Sequence, residues 1–244
     1  MSSSPTIIIV PGAWHRQFHI QPFLDEITRR GHRVQCVPLR NSYTDLPRPS
    51  WEDEVTHISR PIQHEINAGR DVCVLLHSYA GIPGSEALNR IVRAGGLEEQ
   101  PGKGRLVRAI FFSAFTFPAG FVVDTKMFVG PDHPEFSIGD DGLAYHSKPY
   151  EAFFNDLSRE DAQPYVDQIK PYYYILGGGQ ISSDDWKRIP RTIIGAKNDL
   201  SITKAALEQM WAEFRDEMQW IETGHTPFPA KPKYMADVIL GHLV

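Results

Sequence analysis

Only two of the 244 residues are cysteine, Cys36 and Cys73, and each lies inside an apolar run. A thiol in such a run behaves as a small hydrophobe, so neither a disulfide framework nor a thiolate metal site is expected. No apolar stretch approaches the roughly 20 residues that a membrane-spanning helix needs. Positive charge is not in excess either: 25 Lys and Arg face 30 Asp and Glu, for a net charge of -5. Such a balance gives no general attraction to phosphate backbones, so nucleic acid is not an expected partner, and neither is a membrane. The opening MSSSPTIIIVPG has no basic segment, and its apolar part stops at Pro11, too short for a secretion signal. The expected location is the cytoplasm. No G-x-G-x-x-G follows the first β-type run, and Gly177-Gly178-Gly179 does not join a strand to a helix, which argues against nucleotide-phosphate loops. That glycine run reads as a turn. His15 and His19 share the i, i+4 spacing of a metal pair, but no HExxH or third ligand accompanies them, so no metal is expected.

What remains is an ordinary globular composition, 41% hydrophobic and 23% charged, at a length that suits one domain with an insertion. Short β-branched runs alternate with amphipathic helical stretches, the pattern of an α/β fold whose mostly parallel sheet is covered on both faces. Strands are expected at Thr6 to Val10, Arg33 to Val37, Asp71 to His77, Leu106 to Ser113, Arg191 to Ile194 and Met218 to Ile221. Phe18, Leu24 and Ile27 repeat at helical spacing up to Gly31. Further helices are expected over Trp51 to Ala68, kinked or restarted at Pro61, then Ala80 to Val92, Thr203 to Phe214 and Pro232 to His242. Arg93 to Gly104, rich in glycine and charge, reads as a surface loop.

One stretch breaks the alternation. The 77 residues 114–190 are too long for a single crossover and too aromatic for a linker, with 14 of the chain's 27 aromatic residues. They are read as a lid inserted into a core formed by residues 1–113 and 191–244, with an apolar underside; the alternative is that the rings form a satellite core.

Three positions carry chemistry. Val72 to Leu76 runs into His77-Ser78-Tyr79-Ala80-Gly81 and then a helix, which places Ser78 at a strand-to-helix turn. A tight turn there lifts a hydroxyl above the sheet and aims the Tyr79 amide at the same point, where it can stabilise an oxyanion. The run departs from G-x-S-x-G in having Leu76 and Ala80 at the two small-residue positions. Asp199 follows the penultimate strand and can orient an imidazole. His225 follows the last strand, where Gly224 permits a sharp turn, and a neutral imidazole suits proton transfer at physiological pH. The other nine histidines are expected mostly at the surface.

Together VPGAWH, HSYAG, GAKND and TGHTPF, in this order, resemble the α/β-hydrolase superfamily, and more narrowly the branch of plant methyl-salicylate-type esterases, hydroxynitrile lyases and their bacterial and fungal relatives. That family's order is serine, acid, histidine. The resemblance implies Ser78 as nucleophile, Asp199 as acid and His225 as base, 121 positions separating the first two and 26 the last two, with Asp124 as the competing acid because some members take it from the loop after the preceding strand. It implies Ala13 as the second oxyanion donor beside Tyr79, although Pro11 stands where the family has histidine. His15 resembles the second histidine of the family's loop. Gly12, His15, Phe115 and Phe117 are the expected substrate contacts. The known lyases carry threonine at Gly12 and lysine at Thr226, so their chemistry lacks two parts here. The expected activity is hydrolysis of a hydrophobic carboxylic ester or lactone through an acyl-enzyme, without metal or cofactor. A lyase or cyclase on the same scaffold and a small-molecule receptor are the alternatives, and a homodimer is left open.

Overall fold

Side chains along a strand point alternately to its two faces, so a strand buried on both faces must be apolar throughout. Thr6–Val10 (β1) meets that condition. Ile7 and Ile9 enter one core and Ile8 and Val10 the other. In the computed structural model, which describes residues 4–124, 134–174 and 179–243, β1 is followed by Gln17–Arg29 (α1), Val34–Cys36 (β2), Trp51–Asn67 (α2), Val72–His77 (β3), Gly81–Arg93 (α3) and Leu106–Phe112 (β4). The insertion holds Phe136–Ile138 (β5), Leu143–His146 (β6), Pro149–Phe153 (α4), Arg159–Val166 (α5) and Tyr172–Tyr173 (β7). The chain then returns with Arg191–Ala196 (β8), Lys204–Met210 (α6), Met218–Ile221 (β9) and Pro232–Gly241 (α7).

The main sheet has the order β2-β1-β3-β4-β8-β9 with every pair parallel. Helices α1 and α7 bury Phe23, Ile27, Met235 and Ile239 on one face, and α2 and α3 bury Ile58, Ile62, Leu88 and Ile91 on the other. The expected α/β class is thus observed, with strand ends shifted by up to two residues. β5, β6 and β7 form a separate antiparallel sheet. Helix α2 runs through Pro61 without the restart that was one of the two expected outcomes there. Its buried stripe of Val55, Ile58, Ile62 and Ile66 outweighs the ~3 kcal/mol cost of an interior proline. The helix expected over Thr203 to Phe214 is shorter: Thr203 caps α6, and the segment Ala212–Glu217 is a 3-10 turn broken at Phe214.

Cys73 is buried and Cys36 partly so, and burial pushes both thiols up to about 12. Neither is a thiolate at neutral pH. Among the described residues, no helix is long and apolar enough to cross a membrane. Gly177 and Gly178 lie outside the described residues, as does Phe128.

Leu76, bulky for its place before the turn, is accommodated by the helix opposite. A Cβ at Gly84 in α3 would lie 2.5 Å from Leu76 Cδ2 and 2.7 Å from Cδ1. Strand and helix therefore approach closely because the small residue sits on the helix rather than on the strand. Gly84→Ala is expected to destabilise the fold by about 1–2 kcal/mol net, overpacking exceeding the gain in helix propensity. Leu76→Ala should cost about 2–5 kcal/mol alone, and the double variant less than the sum. Urea denaturation of the three variants checks this; strictly additive costs would refute the steric coupling.

Candidate active site

Strand β3 ends at His77, and Ser78 follows at φ 56°, a left-handed conformation rare for any residue but glycine. Such a backbone costs of order 1–3 kcal/mol and persists only where its surroundings impose it. A 3-10 turn, Ser78–Ala80, leads directly into α3, while the Ser78 carbonyl accepts the Phe115 amide at 3.1 Å. From the other side the loop after β1 presses close: a Cβ on Gly12 would lie 2.6 Å from Ser78 Cβ. Only glycine permits that approach. The serine hydroxyl is thereby raised at the carboxyl ends of the strands, where open parallel sheets hold their ligands.

Asp199 and His225 meet after β8 and β9. Asp199 Oδ1 accepts the Ser201 and Ile202 amides at 2.8 and 2.7 Å, and Oδ2 lies 2.7 Å from His225 Nδ1. Both side chains are fully buried. A carboxylate held by two backbone amides accepts the Nδ1 proton, which leaves Nε2 as the ring's free lone pair. That atom is buried and has no hydrogen-bond partner, Ser78 Oγ included. Asp124, the competitor, is exposed on the insertion. Gly224 plays a different part from the expected one. Its φ is not positive; instead a Cβ there would lie 2.0 Å from Asn155 Oδ1 of the insertion.

The histidines are not mostly at the surface. Of those described, only His64 is exposed, and His15, His19 and His77 are fully buried. His77 Nδ1 accepts the Gly12 amide at 3.3 Å and Nε2 donates to the His225 carbonyl at 2.9 Å. His15 Nδ1 donates to the Ala13 carbonyl at 2.7 Å, leaving Nε2 to accept the Thr226 hydroxyl at 3.0 Å. His19 accepts the Arg16 amide and donates to the Tyr165 carbonyl. Their rings form a chain: His19 to His15 at 5.3 Å, His15 to His77 at 5.5 Å, His77 to His225 at 4.8 Å. The sequence offered one usable signal for His77, its place at the end of an all-apolar strand.

Above Ser78 opens a cavity of about 310 Å³. Ala13 and Tyr79 line it beside Ser78, and so do Phe115 and Phe117. Gly12 and His15, expected as substrate contacts, do not: Gly12 packs against Ser78 and His15 is sealed beneath the loop. The insertion supplies Phe136, Phe153 and Tyr172, while Ser201, Thr203 and Gln209 give neutral polar groups. Among the described residues no charged side chain lines it. The aromatic residues divide between the two expected roles: those five line the cavity, whereas Trp186 packs on Phe111 and Trp211 in the core.

Burial pushes the pKa of His19 down to about 4 and those of His15 and His77 well below the usual 6.5, mutual repulsion adding to the effect for His15 and, through His225, for His77. A histidine with a depressed folded pKa is protonated first in the unfolded chain, so its contribution to stability is full above pH 6.5 and is lost as pH falls toward the folded pKa. Glu54, pushed up to about 7 by burial, acts in the opposite sense. His146, His57 and His242 are lowered as well, His146 to about 4, so the lowered histidines outnumber the raised carboxyl Glu54 and unfolding free energy should fall as pH drops from 6 to 5. Urea midpoints across this window measure it, and His19→Gln should remove about one proton from the slope. Stability independent of pH there would mean that the rings are not held neutral.

The sequence pattern of the alpha/beta hydrolase family matches residues 7–238. The alpha/beta hydrolase nvfD of Aspergillus novofumigatus is 24% identical over 241 residues, covering 96% of this chain and 95% of that protein. Polyneuridine aldehyde esterase superposes with a TM-score of 0.76 at 16% identity, over 98% of this chain and 99% of the other. Tomato methylketone synthase I, solved with 2-tridecanone, gives 0.73 at 17% identity over 98% of each chain. With six parallel strands, a serine turn after β3 and a match across nearly its whole length, the chain belongs to the alpha/beta hydrolase family.

Proposed function

We propose that the protein is a serine hydrolase that cleaves uncharged, apolar carboxylic esters or lactones through an acyl-enzyme. One observation carries this reading: the Asp199–His225 pair leaves a buried, unpartnered Nε2 whose ring lies 5.9 Å from Phe153, and Phe153 and a strained serine both line one aromatic cavity with no charged side chain among the described residues. In the proposed reaction Ser78 Oγ attacks the ester carbonyl carbon and its proton passes to His225 Nε2. The Ala13 and Tyr79 amides hold the resulting oxyanion. Collapse breaks the bond to the alkoxide, which takes the proton from Nε2. Water then attacks the acyl-enzyme, giving its proton to Nε2, and the acid leaves as Ser78 is reprotonated. Proton transfer requires Ser78 Oγ within hydrogen-bond reach of His225 Nε2 in the substrate complex.

Among the described residues the cavity wall offers no charge to pair a carboxylate or phosphate, whose desolvation would go uncompensated. Residues 114–190 act as the lid in this reading, over a core of 1–113 and 191–244. The esterase name of one structural neighbour agrees with it, and the ketone bound to another is an uncharged, apolar molecule. The Thr226 hydroxyl is committed to His15, which leaves no proton donor at that position for lyase chemistry.

A fluorophosphonate probe is expected to label Ser78, and Ser78→Ala to abolish labelling without unfolding. Asp199→Asn should lower kcat on the order of a thousandfold or more with little change in KM, while Asp124→Asn leaves it intact. The opposite pattern would reassign the acid. Across esters of equal leaving-group pKa, kcat/KM should rise with acyl size by about 25 cal/mol for each Å² buried until about 310 Å³ is filled, and an ω-carboxylate on the acyl chain should abolish the gain. A flat series would refute the substrate class.

A further inference from the structure

Phe153 to Asp156, four consecutive residues of the insertion, touch the cavity and both loops that bring the Asp199–His225 pair together. Phe153 lines the cavity, with its ring 5.9 Å from that of His225. Phe154 stacks on His19 at 5.8 Å. Asn155 Nδ2 donates to the Asn198 carbonyl at 2.9 Å, one residue before Asp199. Asp156 Oδ2 accepts the Gly224 amide at 2.6 Å, one residue before His225, while Oδ1 pairs with Lys231 at 2.6 Å. Lys231 Nζ also donates to the Glu222 carbonyl at 2.9 Å, closing a loop of bonds around the segment that carries His225. The missing side chain of Gly224 is what admits Asn155 to this position.

Where the chain leaves β8 and β9 the core supplies two backbone bonds, from the Lys197 amide to the Ile221 carbonyl and from the Asn198 amide to the Thr223 carbonyl, each at 2.9 Å. Asn155 and Asp156 add one bond to each loop from adjacent backbone positions, so their spacing sets the separation of the loops. We infer that Asn155 and Asp156 are positioning residues, which hold the Asp199 and His225 loops in register and link that register, through Phe153, to the occupant of the cavity. The inference rests on the reading of Asp199 and His225 as acid and base. A carboxylate stabilises an imidazolium only at hydrogen-bond distance, and a displacement near 1 Å costs on the order of a hundredfold in rate.

The test compares Asp156→Ala with Asp156→Asn, whose amide oxygen still accepts the Gly224 amide. Three readouts are taken on each folded variant: the low-field proton resonance of His225 Nδ1, kcat and KM for p-nitrophenyl butyrate, and the pH profile of kcat/KM. For Asp156→Ala the resonance should broaden or move upfield and kcat should fall on the order of ten- to a hundredfold, with KM within about twofold. The acid limb of the profile should shift to lower pH, because a loosened carboxylate supports the imidazolium less. Asp156→Asn should recover most of each change. If Asp156→Ala does not fold, Asn155→Ala is expected to give the same signature at smaller amplitude and decides the matter. A wild-type resonance and kcat in the alanine variants, or an asparagine variant no better than alanine, overturns the inference. So does a wild type without the low-field resonance. A wild type that shows the resonance yet turns over no ester refutes the hydrolase reading instead, and the resonance alone then judges the positioning role.

Discussion

A single neutral imidazole, His77, joins the two loops between which Ser78 stands. It accepts from the Gly12 amide and donates to the His225 carbonyl, and each bond requires a different ring nitrogen in a different state. Only one neutral tautomer satisfies both. A charged ring would turn Nδ1 into a donor facing the Gly12 donor and break the contact. The close approach of Gly12 to Ser78, and with it the left-handed turn at Ser78, therefore depends on a histidine kept uncharged by burial.

Neutrality is maintained collectively. His15, His19 and His77 are each packed against another ring, and each finds hydrogen-bond partners for both nitrogens as a neutral imidazole. Burial without partners would cost a few kcal/mol per ring, and burial with charge far more. The arrangement leaves His225 Nε2 as the one unpartnered ring nitrogen among these four. The proton sink required by the proposed mechanism is thus singled out by elimination: its neighbours have no free lone pair.

Much of this was legible in the sequence because the relevant signals are local. A strand buried on both faces must be a continuous apolar run, and β1 and β3 are such runs. The serine turn after β3 and the Asp199 carboxylate in the loop after β8 follow from chain order on a parallel sheet. What was not legible depends on partners distant in sequence. The surface expectation for histidines failed because the type is polar on average, whereas burial at His15, His19 and His77 is granted by carbonyls and amides that only the folded chain presents. Leu76 looked too large for its position because Gly84, eight residues on, compensates from the facing helix. Gly224 has the look of a turn residue in sequence, whereas its reason is contact with a side chain some 70 residues earlier in the chain.

The division of labour within the chain sets a limit on how freely its substrate range can change. The groups proposed to do chemistry sit at the ends of β1, β3, β8 and β9, while much of the cavity wall comes from the insertion. On most of that wall, at Phe117 or Phe136, a substitution alters what fits without touching a chemical group. Phe153 is different. Its ring meets the cavity on one side and the His225 and His15 rings on the other, and the residues that follow it hold the Asn198 and Gly224 backbone. A change of size there is transmitted to His225 as well as to the cavity, since close-packed rings move together. Selectivity should therefore vary through the outer aromatics, while the Phe153 to Asp156 run stays fixed by the geometry it imposes on Asp199 and His225.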